Sequence, residues 1–212
     1  MLHYQAFQCN MLGENAYLLW DDDRHAAFVD CGAFFDEEKE AIAAFAESRS
    51  LIVEHHYLTH GHFDHVFGLP FIHRTYGLRP VMHTDEADTY RQMPGMAAQF
   101  GLNVGGGIPP IGRLANDGEE VRLGKTAVRF IHTPGHTPGS ASLYIADAGL
   151  LLSGDTLFQG SLGRTDLPGG CWEDEVDSIR NKLFLLPDDT TVLCGHGQDT
   201  TIGSEKRVWG MA

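Results

Sequence analysis

Thr59-His60-Gly61-His62-Phe63-Asp64-His65 places three imidazoles and a carboxylate within the six residues that begin at His60. The apolar stretch Leu51 to Leu58 before it reads as a strand, and Val66 to Tyr76 after it shows helical spacing of its apolar residues. The cluster therefore stands where a strand ends and a helix begins. Histidine is the commonest metal ligand near neutral pH. On an extended or turning segment His60 and His62 can point the same way while Asp64 and His65 turn toward a neighbouring point. Two adjacent metal sites need such a split. Four residues of this kind at a strand end serve no packing purpose, which argues against a merely solvated turn.

Three more segments end in the same manner. Leu150-Leu151-Leu152-Ser153-Gly154 runs into Asp155, and Thr191-Val192-Leu193-Cys194-Gly195 runs into His196. His136 lies in Thr133-Pro134-Gly135-His136-Thr137-Pro138-Gly139-Ser140, whose prolines and glycines fix a backbone rather than fill a core. Alone, each of these is more often a cap or a surface residue; together with the first cluster they make a site. Asp30 closes Phe28-Val29-Asp30 and reads equally as a turn carboxylate or as the acceptor to which a ligand imidazole donates its other N–H. Thr59 and Thr137 stand within hydrogen-bonding range of such ligands in sequence, and His132 precedes His136 by one helical turn's worth of chain.

The remainder alternates between short strands and helices. Tyr4 to Gln8, Ala16 to Trp20 and Ala26 to Cys31 read as a meander, followed by a helix over Asp36 to Ser48 with acids in its first turn. Strands are expected at 80–82, 121–123, 127–132, 142–145, 150–153 and 191–194, with a helix over 173–186. Strand meanders broken twice by helices predict an α+β architecture of two sheets with helices outside. The whole chain, 1–212, reads as a single domain. Residues from about 85 to 110, with Met93, Met96, Phe100 and Gly105-Gly106-Gly107, read as an inserted flap, a short helical stretch and then a mobile loop bordering the cleft.

Composition narrows the function classes. Across 212 residues there are 29 acidic and 15 basic side chains, a formal charge of −14, and Lys and Arg nowhere cluster. Counterion-release binding to nucleic acid or to an anionic membrane needs such clusters, so neither is expected as a partner. No basic n-region followed by an apolar stretch opens the sequence, and no run approaches the ~18 apolar residues of a membrane span. The four scattered cysteines form no Cys-x-x-Cys pair. A reduced, cytoplasmic setting is expected.

The order His-x-His-x-Asp-His, then a His, an Asp and a His at later strand ends, resembles the metallo-β-lactamase superfamily, with similarity from about Leu2 to Lys206. The resemblance implies an αββα sandwich of two mixed sheets flanked by helices, holding two divalent metal ions between the sheets. It implies that His60, His62 and His136 bind the first ion, that Asp64, His65 and His196 bind the second, and that Asp155 bridges both. Nitrogen and oxygen donors without thiolate suit zinc, iron or manganese, with zinc the default for an imidazole-rich hydrolytic site.

A binuclear centre of this type implies hydrolysis by a metal-bound hydroxide, oriented by Asp64 and Asp155. No Gly-x-Ser-x-Gly elbow or Cys–His pairing competes for the role of nucleophile. The stretch from Asp155 through Gly163-Arg164-Thr165-Asp166 is similar to the glyoxalase II-type hydroxyacylglutathione hydrolases, especially the short bacterial ones. That implies hydrolysis of a small-molecule thioester, with Arg164 as a substrate contact or as an internal partner of Asp166. The sequence departs from the longer glyoxalase II pattern in ending soon after Lys206, without the C-terminal helical domain whose basic residues grip glutathione, and its charge gives no steering of an anionic thiol. The thiol, the acyl group and the oligomeric state stay open. Gly163 to Asp166 is also similar to the persulfide dioxygenases, in which His60, His136 and Asp155 would hold a single iron; hydrolysis is the preferred reading. A secreted β-lactamase, for which a signal peptide and often a Cys in place of Asp155 would be expected, a nuclease, for which a basic exosite would be expected, and a non-catalytic metal-binding module, for which lost ligands would be expected, fit less well.

Overall fold

A computed structural model describes residues 1–104 and 107–211. Two mixed six-stranded sheets face each other. The first has the order β1 (Leu2–Cys9), β2 (Glu14–Asp21), β3 (His25–Val29), β4 (Ile52–Tyr57), β5 (Val81–His83), β6 (Arg113–Ala115), antiparallel up to β3 and parallel from there on. The second has the order β14 (Thr200–Thr201), β13 (Thr191–Cys194), β10 (Leu150–Gly154), β9 (Ala141–Ile145), β8 (Thr126–His132), β7 (Glu120–Leu123). Only β10 and β13 pair in parallel there. A short ribbon, β11 (Leu157–Phe158) with β12 (Ser161–Leu162), follows β10.

Alternation along the strands builds three layers of core. Tyr17, Leu19, Ala27 and Val29 from the first sheet meet Phe130, Leu143, Leu152 and Leu193 from the second in one buried cluster. The intervening residues Leu18, Ala26 and Phe28 face outward onto Ile42 and Ala46 of helix α1 (Asp36–Ser48) and Ile72 of α3 (Leu69–Tyr76). On the other side Leu151, Val192 and Cys194 pack on Ile179 of α5 (Trp172–Asn181) and Ile202 of α6 (Ile202–Val208). Strands buried on both faces read as continuous apolar runs, as Leu150 to Leu152 does. Helix, sheet, sheet, helix is the expected αββα sandwich.

Some elements differ from the sequence expectation. The helix expected over Val66 to Tyr76 is two: a single turn, α2 (Phe63–Val66), and then α3. The chain breaks at Gly68, where an added Cβ would lie 2.4 Å from Cys31 Sγ, because this bend is pressed against the strand-end loop after β3. The helix expected to reach residue 186 stops at Asn181 and continues as a 3-10 turn, Leu183–Leu185. Strands β6, β11, β12 and β14 and helix α6 were not expected; each strand among them has two or three residues, too few for a period to register. Residues expected as the flap begin with a 3-10 turn, Thr84–Glu86, and helix α4 (Ala87–Gln99), whose Tyr90, Met93 and Ala97 are buried. Met93 is therefore core rather than an adaptable cleft contact, and Gly105 and Gly106 lie outside the described residues. The four cysteines are free, and among the described residues no helix is long and apolar enough to cross a membrane.

Candidate metal centre

Strand direction explains why seven residues from distant parts of the chain can meet. Strands β3 and β4 are parallel, and β8, β10 and β13 run in one direction within their sheet, so the segments that follow them emerge together at one edge of the sandwich. Asp30 follows β3, His60 follows β4, His136 follows β8, Asp155 follows β10 and His196 follows β13. Asp64 and His65 are carried on α2.

The seven residues form two adjoining triads. His60, His62 and His136 bring ring nitrogens within 4.8 Å of one another, and His62 Nδ1 lies 2.8 Å from His136 Nε2. Asp64, His65 and His196 make the second group: His196 Nε2 is 3.3 Å from both Asp64 Oδ2 and His65 Nε2. Asp155 stands between them, with Oδ1 3.2 Å from His65 Nε2 and Oδ2 3.6 Å from both His136 Nε2 and His196 Nε2. Five of the seven are buried, and Asp155 and His196 are half-buried.

Hydrogen bonds set which ring nitrogens carry a lone pair. Thr59 Oγ1 donates to Asp30 Oδ2 at 2.6 Å and so accepts from His60 Nδ1 at 3.1 Å. His65 Nδ1 donates to Asp30 Oδ2 at 2.9 Å, and His136 Nδ1 donates to the Arg164 carbonyl at 2.8 Å. In all three rings Nδ1 is engaged away from the site and Nε2 is the nitrogen aimed into it. Among the described residues, buried His60 Nε2 and Asp155 Oδ1 make no hydrogen bond of good geometry, although His65 Nε2 stands 3.2 Å from Asp155 Oδ1. Buried lone pairs from imidazoles and carboxylates, facing one another at about 3 Å, are unfavourable unless a cation lies among them. The donor set fits metal ions.

The electrostatics agree. Burial, reinforced by the neighbouring imidazoles, holds His60 well below its ordinary pKa and brings His62 down to about 3. These rings stay neutral, as metal ligands must. Burial opposes a charge on His65 as well, but the carboxylates of Asp155 and Asp30 outweigh it and raise that imidazole well above its usual range. For Asp64 burial pushes the carboxyl up, and the hydrogen bond with His196 and the charge of His65 more than reverse it, leaving the group below its usual value. This end of the centre draws in positive charge.

Asp30 also falls within a triad with His60 and His65. Both its oxygens are already engaged, Oδ1 by the Thr59 N–H at 2.8 Å and Oδ2 by Thr59 Oγ1 and His65. Its geometry is that of a hydrogen-bond acceptor for His65 and Thr59. The Arg164 guanidinium is exposed and forked onto Asp166, with Nε to Oδ1 at 2.7 Å and Nη2 to Oδ2 at 2.8 Å. His132 stands outside the site: its Nε2 bonds the Pro138 carbonyl at 2.9 Å and its ring stacks on His83 at 3.9 Å.

Several supporting residues carried no signal in the sequence. Glu86 Oε1 accepts from the Gly61 N–H at 2.7 Å, while its Oε2 accepts from Thr137 Oγ1 at 2.7 Å and the Gly139 N–H at 3.1 Å. Glu175 Oε2 accepts from the His136 N–H at 2.8 Å. Asn15 Nδ2 bonds the carbonyls flanking His196, Cys194 at 3.0 Å and Gly197 at 3.1 Å. Asn10 Nδ2 bonds the Asp64 carbonyl at 2.9 Å. Gly195 leaves room for the carboxylate between the triads, since a Cβ there would lie 2.3 Å from Asp155 Oδ1. A buried Glu one residue before a helix looks in sequence like an ordinary first-turn acid.

A fold of two facing sheets with a histidine and aspartate centre at one edge defines a class, and sequence comparison agrees with it. The metallo-beta-lactamase superfamily model matches residues 10–196, and the chain belongs to that family. Hydroxyacylglutathione hydrolase GloC of Haemophilus influenzae is 37% identical over 92% of this chain and 90% of its own. Among solved structures, BLEG-1 B3 metallo-beta-lactamase matches with a TM-score of 0.87 and 34% identity, covering 97% of each chain. TTHA1623, solved in a di-iron-bound form, matches with a TM-score of 0.84 and 32% identity over 96% of this chain and 98% of that one.

Proposed function

We propose that this metal-dependent hydrolase cleaves small-molecule thioesters by the glyoxalase II type of reaction, the thiol being left open. In this reading His60, His62 and His136 hold one divalent ion, Asp64, His65 and His196 hold a second, and Asp155 bridges them. The observation that carries it is Asp155 standing within 3.6 Å of nitrogens from both triads while its own Oδ1 makes no hydrogen bond of good geometry among the described residues. Zinc suits the donor set best, with iron and manganese also compatible. When bound, such a pair of ions supplies an activated water and polarises a carbonyl.

The chain itself does the positioning. Asp30 and the Arg164 carbonyl hold three imidazoles in the ligating tautomer. Apolar side chains, Phe63 and Met96 among them, line the cavity beside His62 and Asp155 where the acyl group would lie. The protein offers no competing sulfur nucleophile in its core, because burial pushes the Cys31 thiol far above its usual range and the Cys194 thiol up to about 12. Both the hydrolase and the mono-iron dioxygenase branches keep much of this ligand set, and the likeness to GloC is what favours hydrolysis.

Support for the thioester comes from the GloC relative and from the Gly163-Arg164-Thr165-Asp166 stretch. The test pairs metal analysis of the purified protein with two assays, release of free thiol from a lactoyl thioester and persulfide-dependent oxygen uptake. Two ions per chain and thiol release are expected. One iron per chain with oxygen uptake overturns the reading in favour of the dioxygenase.

A further inference from the structure

The centre opens into a cavity of about 290 Å³ whose floor includes His62, Asp64, His136 and Asp155. That volume is at the small end of ligand pockets, which run ~300–1,000 Å³ for drug-sized molecules. Its walls are apolar and come from separate segments: Met11 and Leu12 between β1 and β2, Phe63 on α2, Met96 and Phe100 on and after α4, and Leu167. Leu12 is 52% exposed and Phe100 is 64% exposed, an apolar rim left facing solvent beside a polar floor.

Charge limits what this rim can hold. Among the described residues lining the cavity the one Lys or Arg is Arg164. Its guanidinium edge is already taken by both oxygens of Asp166, in the bidentate geometry with which it would otherwise grip a substrate carboxylate. Glutathione brings two carboxylates to a chain of charge −14 and meets no free cation here.

Resting on the thioester reading above, we infer that the preferred substrate carries an uncharged thiol whose apolar chain packs on Leu12 and Phe100, and that the site discriminates against anionic thiols such as glutathione. In the reaction the oxygen of water bonds to the carbonyl carbon and the C–S bond breaks. The thiol leaves with one proton of that water, and the acid keeps the remaining hydroxyl.

The test uses metal-loaded protein and lactoyl thioesters of two thiols, glutathione and the neutral N-butanoylcysteamine. The neutral ester is expected to have the higher kcat/KM, by about tenfold or more. Added salt should raise the rate on the glutathione ester alone, by screening repulsion. Leu12→Ser and Phe100→Ser alter exposed positions and leave the core intact; each should raise KM for the neutral ester several-fold with little change in kcat. Asp166→Asn should free the Arg164 fork and improve turnover of the glutathione ester. Turnover of both esters with glutathione equal or preferred overturns this inference and leaves the hydrolase reading standing. Turnover of neither overturns the hydrolase reading and this inference with it.

Discussion

Glu86 accepts a hydrogen bond from Thr137 Oγ1 at 2.7 Å, joining the residue that ends the turn after β5 to the loop that carries His136. Its other oxygen takes the Gly61 N–H between His60 and His62. One buried carboxylate thus clamps the two backbone segments that supply the first triad. Glu86→Ala should leave the Gly61 and Gly139 N–H groups unpaired, each worth about 1–3 kcal/mol when buried, while Thr137 Oγ1 keeps Ser140 Oγ at 2.8 Å. The expected result is weaker binding of the first metal, read by competition with a chromophoric chelator, with partial rescue in Glu86→Gln, which keeps one carbonyl acceptor. Unchanged metal affinity in the alanine variant would show that the loops hold their places without it.

The same carboxyl makes stability depend on pH. Burial pushes it up to about 7 from 4.5, against the pull of its hydrogen-bond donors. Below about pH 4.5 the folded and unfolded chains both hold this proton, and the group favours neither. Between about 4.5 and 7 the unfolded chain has released it while the folded chain still holds it, so stability falls as pH rises through that window and then levels off. Denaturant midpoints of wild type and Glu86→Gln, compared at each pH, isolate the effect, since shared groups cancel. The wild type should lose ground to the variant between pH 5 and 7; a constant difference would mean that the carboxyl ionises normally.

Asp155 faces both triads, so its removal should be felt at both. On the proposed reading, in which one carboxylate would serve two cations, Asp155→Ala is expected to lower metal content from about two ions per chain toward zero. Atomic absorption after gel filtration measures it. Loss of a single ion with the other retained at full affinity would assign Asp155 to one site only.

Asp30 acts through His65 and Thr59 rather than on a metal. Asp30→Asn leaves one oxygen as acceptor but replaces the other with a donor, which conflicts with the N–H, O–H and imidazole protons now directed at the carboxylate. Metal affinity should drop by about 10–100-fold, as outer hydrogen-bond partners of ligands usually show. Titration calorimetry on the variant checks this, and affinity within twofold of wild type would refute an orienting role.

The deciding stretch from Thr59 to His65, the Asp155 and His196 strand ends and the His136 loop were all legible in sequence. Metal-binding chemistry demands particular side chains, and those side chains have no other business at strand ends. The long strands and α1 were legible too, because burial on one or two faces writes a period or an apolar run into the chain. Residues Asp36 to Ser48 form the expected helix to the residue.

The short pieces were not legible. A two-residue strand such as β14 forms only because β13 offers it an edge, and the break at Gly68 combines Pro70 in the first turn of α3 with the close approach of Cys31. Glu86, Glu175, Asn10 and Asn15 are ordinary polar residues in sequence; they became part of the site when folding buried them against loops distant along the chain. Arg164 shows the division most sharply. Sequence offered Asp166, two residues on, as a partner for its guanidinium, and tertiary structure selected that pairing and turned the Arg164 carbonyl to His136. Local sequence determined which atoms could bind metal, since ligand chemistry resides in single side chains. Only the packing of two sheets decided which nitrogens face inward and which buried polar groups hold them there, because both depend on partners that adjacency in the chain does not supply.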